Sequence, residues 1–129
     1  MTFAPRPPLD PALDLVVERV VRVSPERAWA AWTEPEHLRQ WYAPAPGVIS
    51  QCEIDLRPGG VFRFAPRQPD GTENPFTCCY LEVVPYRRLV WTDALLPGYR
   101  PAPIRLLHSG DDARAARRHH VVYDRRASP

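Results

Sequence analysis

Apolar and polar positions alternate from Leu13 to Val23. Leu13, Leu15, Val17, Val21 and Val23 are interleaved with Asp14, Glu18 and Arg22, which predicts a half-buried strand. The rhythm then changes at Ser24-Pro25-Glu26. A serine can cap exposed amides, proline fits a first helical turn and an acid suits the positive end of the helix dipole. This helix carries Ala28, Trp29 and Trp32. Thr33 followed by Glu36 fits a capping box and predicts a second short helix, with Leu38 and Trp41 at helical spacing and Pro44 and Pro46 ending it. Beyond them the period returns to two. Strands are predicted at Val48 to Leu56, Val61 to Ala65, Phe76 to Val84 and Arg88 to Asp93. The turns between them are Arg57-Pro58-Gly59-Gly60, Pro69-Asp70-Gly71 and Pro85-Tyr86-Arg87. Short turns between consecutive strands make an antiparallel meander, so the fold class is α+β. After Ala94 the pattern fails: Leu96 to Pro103 reads as a Pro/Gly loop, and from Ile104 onward there is neither alternation nor an amphipathic stripe.

Composition narrows the class. The 129 residues, 44% hydrophobic and 25% charged, suit one soluble domain. No run approaches the roughly 20 apolar residues of a membrane helix, and the Pro-rich start lacks a signal pattern, so a cytoplasmic protein is expected. All seventeen basic residues are Arg, and their excess over acids lies in the tail. The main body therefore carries no basic signature for nucleic acid. The expected layout is a Pro-rich leader at 1–12, a domain at 13–103 and an Arg-rich tail at 104–129.

Candidate chemistry is sparse. Trp29, Trp32 and Trp41 can line the mouth of a ligand cavity or simply hold the helices on the sheet. Phe62, Phe64, Tyr80 and Trp91 alternate along strands, so each strand turns one aromatic face inward. Cys78 and Cys79 are sequence neighbours on a strand, point to opposite faces and cannot grip one metal together. Asp55 and Arg57 read as a surface pair beside the turn, and Glu53 shares a face with Asp55 without a converging partner. No nucleophile motif surrounds any Ser or Cys. No catalytic residue, metal site or cofactor is expected.

Several blocks in consistent order carry a resemblance. They are Ala31-Trp32-Thr33-Glu34-Pro35-Glu36-His37-Leu38 with Trp41, Asp55-Leu56-Arg57-Pro58-Gly59-Gly60, Pro69-Asp70-Gly71-Thr72-Glu73, Tyr80-Leu81-Glu82-Val83 and Arg88-Leu89-Val90. Over residues 13 to 100 the chain resembles the family of homologues of the activator of heat-shock-protein-90 ATPase, in the START-like (SRPBCC) superfamily. The resemblance implies a helix-grip fold: a bent antiparallel sheet around a long C-terminal helix, two short helices after the first strand, and an apolar cavity between sheet and helix. It implies a small hydrophobic ligand as partner; with the charge distribution and hydropathy above, neither nucleic acid nor membrane is expected as a partner. The same superfamily suggests two alternatives, a polyketide cyclase or aromatase-like enzyme and a chaperone ATPase activator-like interaction module. The chain departs from the pattern after about residue 103, where the family has two further strands and the long helix. Back-translated with GC-rich codons and shifted by one base, the tail can read as an alternating strand and a Gly-rich turn. The expectation is that residues 104–129 are a shifted frame and that the domain is truncated.

Overall fold

The computed structural model describes residues 8, 10–12, 17 and 20–103, together with the strand His119–Tyr123. Two short helices come first, α1 (Pro25–Thr33) and α2 (Pro35–Trp41). Strands β1 (Val48–Ile54), β2 (Val61–Arg67), β3 (Phe76–Val84) and β4 (Arg88–Thr92) follow, then a small ribbon of β5 (Leu95–Leu96) and β6 (Arg100–Pro101), and finally β7 (His119–Tyr123). The main sheet has the order β1-β2-β3-β4-β7, with every pair antiparallel. Irregularities between Ile49 and Gln51 and between Tyr80 and Glu82 help to bend it. The architecture is the α+β helix-grip type expected from the sequence.

Local chemistry sets the helix starts. Ser24 caps α1, its Oγ accepting a hydrogen bond from the Arg27 amide at 3.2 Å. The expected capping role of Thr33 is not what the fold uses. Thr33 is the last residue of α1, and its hydroxyl donates to the Trp29 carbonyl one turn back at 2.7 Å. Glu34 is the N-cap of α2, in an extended conformation (φ −97°, ψ 120°) and without a side-chain cap bond. Pro35 is the reason: the residue before a proline is pushed out of the helical region, so the break falls one residue after Thr33.

Three further expectations change. In the stretch predicted as the first strand, Val17 and Val20 to Val23 are outside any strand and exposed, Val20 by 90%; the remaining residues of Leu13 to Val23 lie outside the described residues. Alternation marks which side chains a strand can bury, but a strand also needs a neighbour for its amides and carbonyls. Within the tail, His119–Tyr123 does form a strand, Leu89 lying opposite Val122 and Trp91 opposite His120. The edge of β4 offers unpaired backbone groups, and β-branched Val121 and Val122 suit an extended partner. The rest of the tail lies outside the described residues. The Leu96 to Pro103 loop is likewise more ordered than expected: it contains all of the β5–β6 ribbon except Leu95, turning at Gly98 and Tyr99, both at positive φ.

The core lies where α1 and α2 close on the inward face of the sheet. Its buried members are Leu38 from α2, Ile49 from β1, Phe62 and Phe64 from β2, Cys78 and Tyr80 from β3, and Leu89 and Trp91 from β4. Removing an aromatic side chain of 150–250 Å² from water at about 25 cal/mol per Å² makes these rings the main favourable term. The outward face is covered too. Beneath the 57–60 turn and the β5–β6 ribbon, Cys79 and Thr92 have no exposed surface. Hydrogen bonds from the Gly59 amide to the Tyr80 carbonyl (2.7 Å) and from the Gly98 amide to the Gly59 carbonyl (2.8 Å) tie these layers together.

Candidate functional site

The pairing register determines the face that the helices cover. Phe62 lies opposite Cys78 and Ile54, Phe64 opposite Cys52, and Tyr80 opposite Trp91. All of these side chains therefore share one face, the inward one. Phe62 sits at its centre, with its ring 5.0 Å from Phe64, 5.6 Å from Tyr80 and 5.4 Å from Trp91 between centroids.

The helices add the other half. Trp32 of α1 reaches down to Trp91 (5.5 Å) and across to Trp41 of α2 (4.5 Å, edge-on). Trp41 is held by its indole N–H, which donates to the Ala31 carbonyl at 3.0 Å, yet stays 43% exposed. Trp29 extends the same surface to Tyr86, 6.1 Å away in the β3–β4 turn. The seven sequence-predicted residues thus form one aromatic surface: Phe62, Phe64, Tyr80 and Trp91 are buried within it, and Trp29, Trp32 and Trp41 form a partly open rim.

Tyr42 completes this surface and was not anticipated. Its ring stands edge-on to Phe64 at 4.9 Å and to Phe62 at 6.1 Å. The available signal was its position four residues after Leu38, on the same helical face. Cys52 and Cys78, strand thiols with no metal role expected, were not assigned to this face from the sequence. Their alternation with Phe62 and Phe64 through the hairpin registers is the pattern that places them.

The surface is hostile to charge. Burial pushes the Tyr42 phenol up to about 12, the nearby Cys78 and Cys52 thiols adding to the effect. Burial also pushes the Cys78 thiol up to about 12, helped by the Asp93 carboxylate and Cys79. Cys52 is raised by burial, an effect opposed by the Arg39 guanidinium. Tyr80 is raised by burial and then by Cys52, Cys78 and Tyr42. In each case the neutral form is favoured because desolvation penalises the ion.

The polar pairs lie elsewhere. Arg57 meets Asp55 at 2.8 Å at the solvent-exposed turn, and Arg63 meets Glu53 at 2.9 Å on the outward face of β1 and β2. Among the described residues there is no group of three or more His, Cys, Asp or Glu side chains placed to hold a metal. An open groove of about 390 Å³, lined by Pro46, Val48, Arg67, Gln68, Pro69 and Gly71, lies at the end of the β1–β2 hairpin, away from the aromatic face. No helix among the described residues is long and apolar enough to cross a membrane.

Comparison with known proteins follows the same geometry. Residues 22–110 match the sequence family described as Activator of Hsp90 ATPase homolog 1-like protein. Protein NE0264 from Nitrosomonas europaea is similar in structure, with a TM-score of 0.72 and 44% identity over 74% of this chain and 62% of its own. Protein CV1439 from Chromobacterium violaceum has a TM-score of 0.55 and 33% identity over 57% of this chain and 54% of its own. A Rhodobacter sphaeroides protein has a TM-score of 0.55 and 27% identity, over 57% of this chain and 50% of its own. The chain thus spans under two thirds of the length of each of these structures. Comparison with curated proteins gives no match.

Proposed function

The chain belongs to the Activator of Hsp90 ATPase homolog 1-like family, and from that premise we propose that it binds a small hydrophobic molecule on the aromatic face between α1–α2 and the sheet. The observation that carries this reading is the continuity of that face. Buried rings at Phe62, Tyr80 and Trp91 run through Trp32 to the partly open Trp41, and Trp29 packs against the same core. A mostly apolar surface with few polar groups is what a small-molecule site offers. Its resistance to ionisation suits a ligand held by contact area.

All four tryptophans of the chain belong to this face or its rim, so tryptophan emission, excited selectively, reports on the site. The test is titration of the full chain with the neutral dye Nile red, following dye and tryptophan emission together. Saturation at one dye per chain with a matching tryptophan change is expected, and Trp32→Ala should weaken it. Unsaturable uptake, or dye binding without a tryptophan response, overturns the reading. Turnover of a bound molecule would move the assignment to an enzyme. Stimulation of a chaperone ATPase that is unaffected by Trp32→Ala would move it to an interaction module.

A further inference from the structure

We propose, building on the binding reading above, that the Tyr80 hydroxyl is the ligand's hydrogen-bonding partner, and that the ligand is an uncharged aromatic or aliphatic molecule bearing one carbonyl or hydroxyl. Tyr80 has no exposed surface, and its hydroxyl has no hydrogen-bond partner among the described residues. A buried phenol ordinarily finds one, because leaving it unpaired forfeits the hydrogen bonds it made to water. The ring sits on the inward face of β3, opposite Trp91 in register and 5.6 Å from Phe62, at the heart of the aromatic surface.

Among the described residues the surroundings disfavour an anion. Tyr42, Cys52 and Cys78 are all held towards their neutral forms, chiefly by burial. Among the described residues the cation that acts on Cys52 is Arg39, and its guanidinium already donates to the Ile49 and Ser50 carbonyls at 3.4 and 3.3 Å. A carboxylate seated here would lose its hydration without a counter-charge. A ketone or alcohol oxygen needs one hydrogen bond, and Tyr80 supplies one.

The test uses calorimetric titration of the full chain with three naphthalenes of similar shape: 2-acetylnaphthalene, 2-isopropenylnaphthalene and 2-naphthoate. The expected result is that Tyr80→Phe weakens the ketone by about 3- to 10-fold, the span of one neutral hydrogen bond, and leaves the hydrocarbon within about twofold. The carboxylate should bind worst to both proteins. The thermal midpoint of the unliganded Tyr80→Phe chain should be equal or higher, since the hydroxyl it removes is unpaired. A ketone affinity unmoved by Tyr80→Phe, with all three affinities measurable, overturns this inference and leaves the binding reading standing. So does a carboxylate that binds as tightly as the ketone. A midpoint lowered by several degrees shows that the hydroxyl already has a partner, such as a buried water, and also overturns it. Binding of none of the three overturns both.

Discussion

The indole of Trp32 lies 5.5 Å from that of Trp91, tilted by 46°, and joins the helical layer to the sheet. Trp91 is buried in β4, whereas Trp32 is only partly buried and also braces Trp41 and Tyr42. The two rings differ in what replaces them when they are lost. Trp91→Ala leaves a sealed void and should cost about 3–5 kcal/mol, comparable with the whole stability of a marginal domain. Trp32→Ala opens to solvent and should cost about 1–3 kcal/mol, while Trp32→Phe should cost less than about 1.5 kcal/mol. Urea unfolding followed by far-ultraviolet circular dichroism measures the order. An equal cost for the two alanine variants would show that Trp32 is as tightly enclosed as Trp91.

The glycines of the turns predict a second ranking. A Cβ at Gly60 would collide with the backbone carbonyl of Asp55 and come within 2.9 Å of the Arg57 carbonyl oxygen, neither of which can swing aside. At Gly59 the φ of 80° is joined by the Tyr99 ring 2.9 Å from the would-be Cβ. At Gly71 the φ is 91° but nothing lies within 4 Å. Alanine at Gly71 therefore meets backbone strain alone, about 1–2 kcal/mol. Gly59→Ala should cost more, and Gly60→Ala should be the most damaging because main chain must move. Thermal midpoints of the three variants check the order, and a Gly71 variant worse than Gly60 contradicts it.

Capping offers a contrast between two hydroxyls that look alike in sequence. Ser24 satisfies an otherwise free helix amide, so Ser24→Ala should cost about 1 kcal/mol. Thr33 donates to the Trp29 carbonyl within α1, and the helix is finished without it, by the Glu34 amide bonding to the Ala30 carbonyl. Thr33→Ala should cost less than about 0.5 kcal/mol. Denaturation midpoints of the pair decide it; a larger loss at Thr33 would restore the capping-box reading.

Stability should fall in alkali, with a definite sign. Cys78 rises from an ordinary 9.0 and Tyr42 from 10.0, both to about 12. Between those limits the unfolded chain has released protons that the folded chain still holds, so the number bound is lower in the unfolded state and stability drops as pH rises. The contribution is fully present below about pH 9 and is lost progressively up to about pH 12. Urea midpoints should be level from about pH 7 to 8.5 and fall steadily by pH 11, less steeply in Cys78→Ser. A midpoint unchanged to pH 11 would contradict the burial of these groups.

Much of this fold is written locally. The Ser24-Pro25 start, the alternation of Phe62 and Phe64, and the Asp70-Gly71 turn act through backbone preferences within a few residues, so they can be read without knowing what lies opposite. Gly71, open on all sides, is legible for the same reason: its φ alone demands it. Thr33 misled because two local rules competed, and the constraint of Pro35 on Glu34 outweighed the capping signature.

What the tertiary structure decided is which of those faces meet. Alternation placed Phe62, Phe64, Tyr80 and Trp91 on strand faces but could not say that they share one; the hairpin registers do that, and they bring Cys52 and Cys78 with them. Tyr42, directly after α2, joins them only because α2 docks through Leu38 and Arg39 onto the sheet. The same dependence separates Val17 to Val23 from His119–Tyr123. Both are rich in strand formers, yet pairing with β4 makes a strand of the second, while the described residues of the first stand exposed. A strand's side chains state a preference, and its backbone hydrogen bonds require a neighbour that the local sequence does not contain.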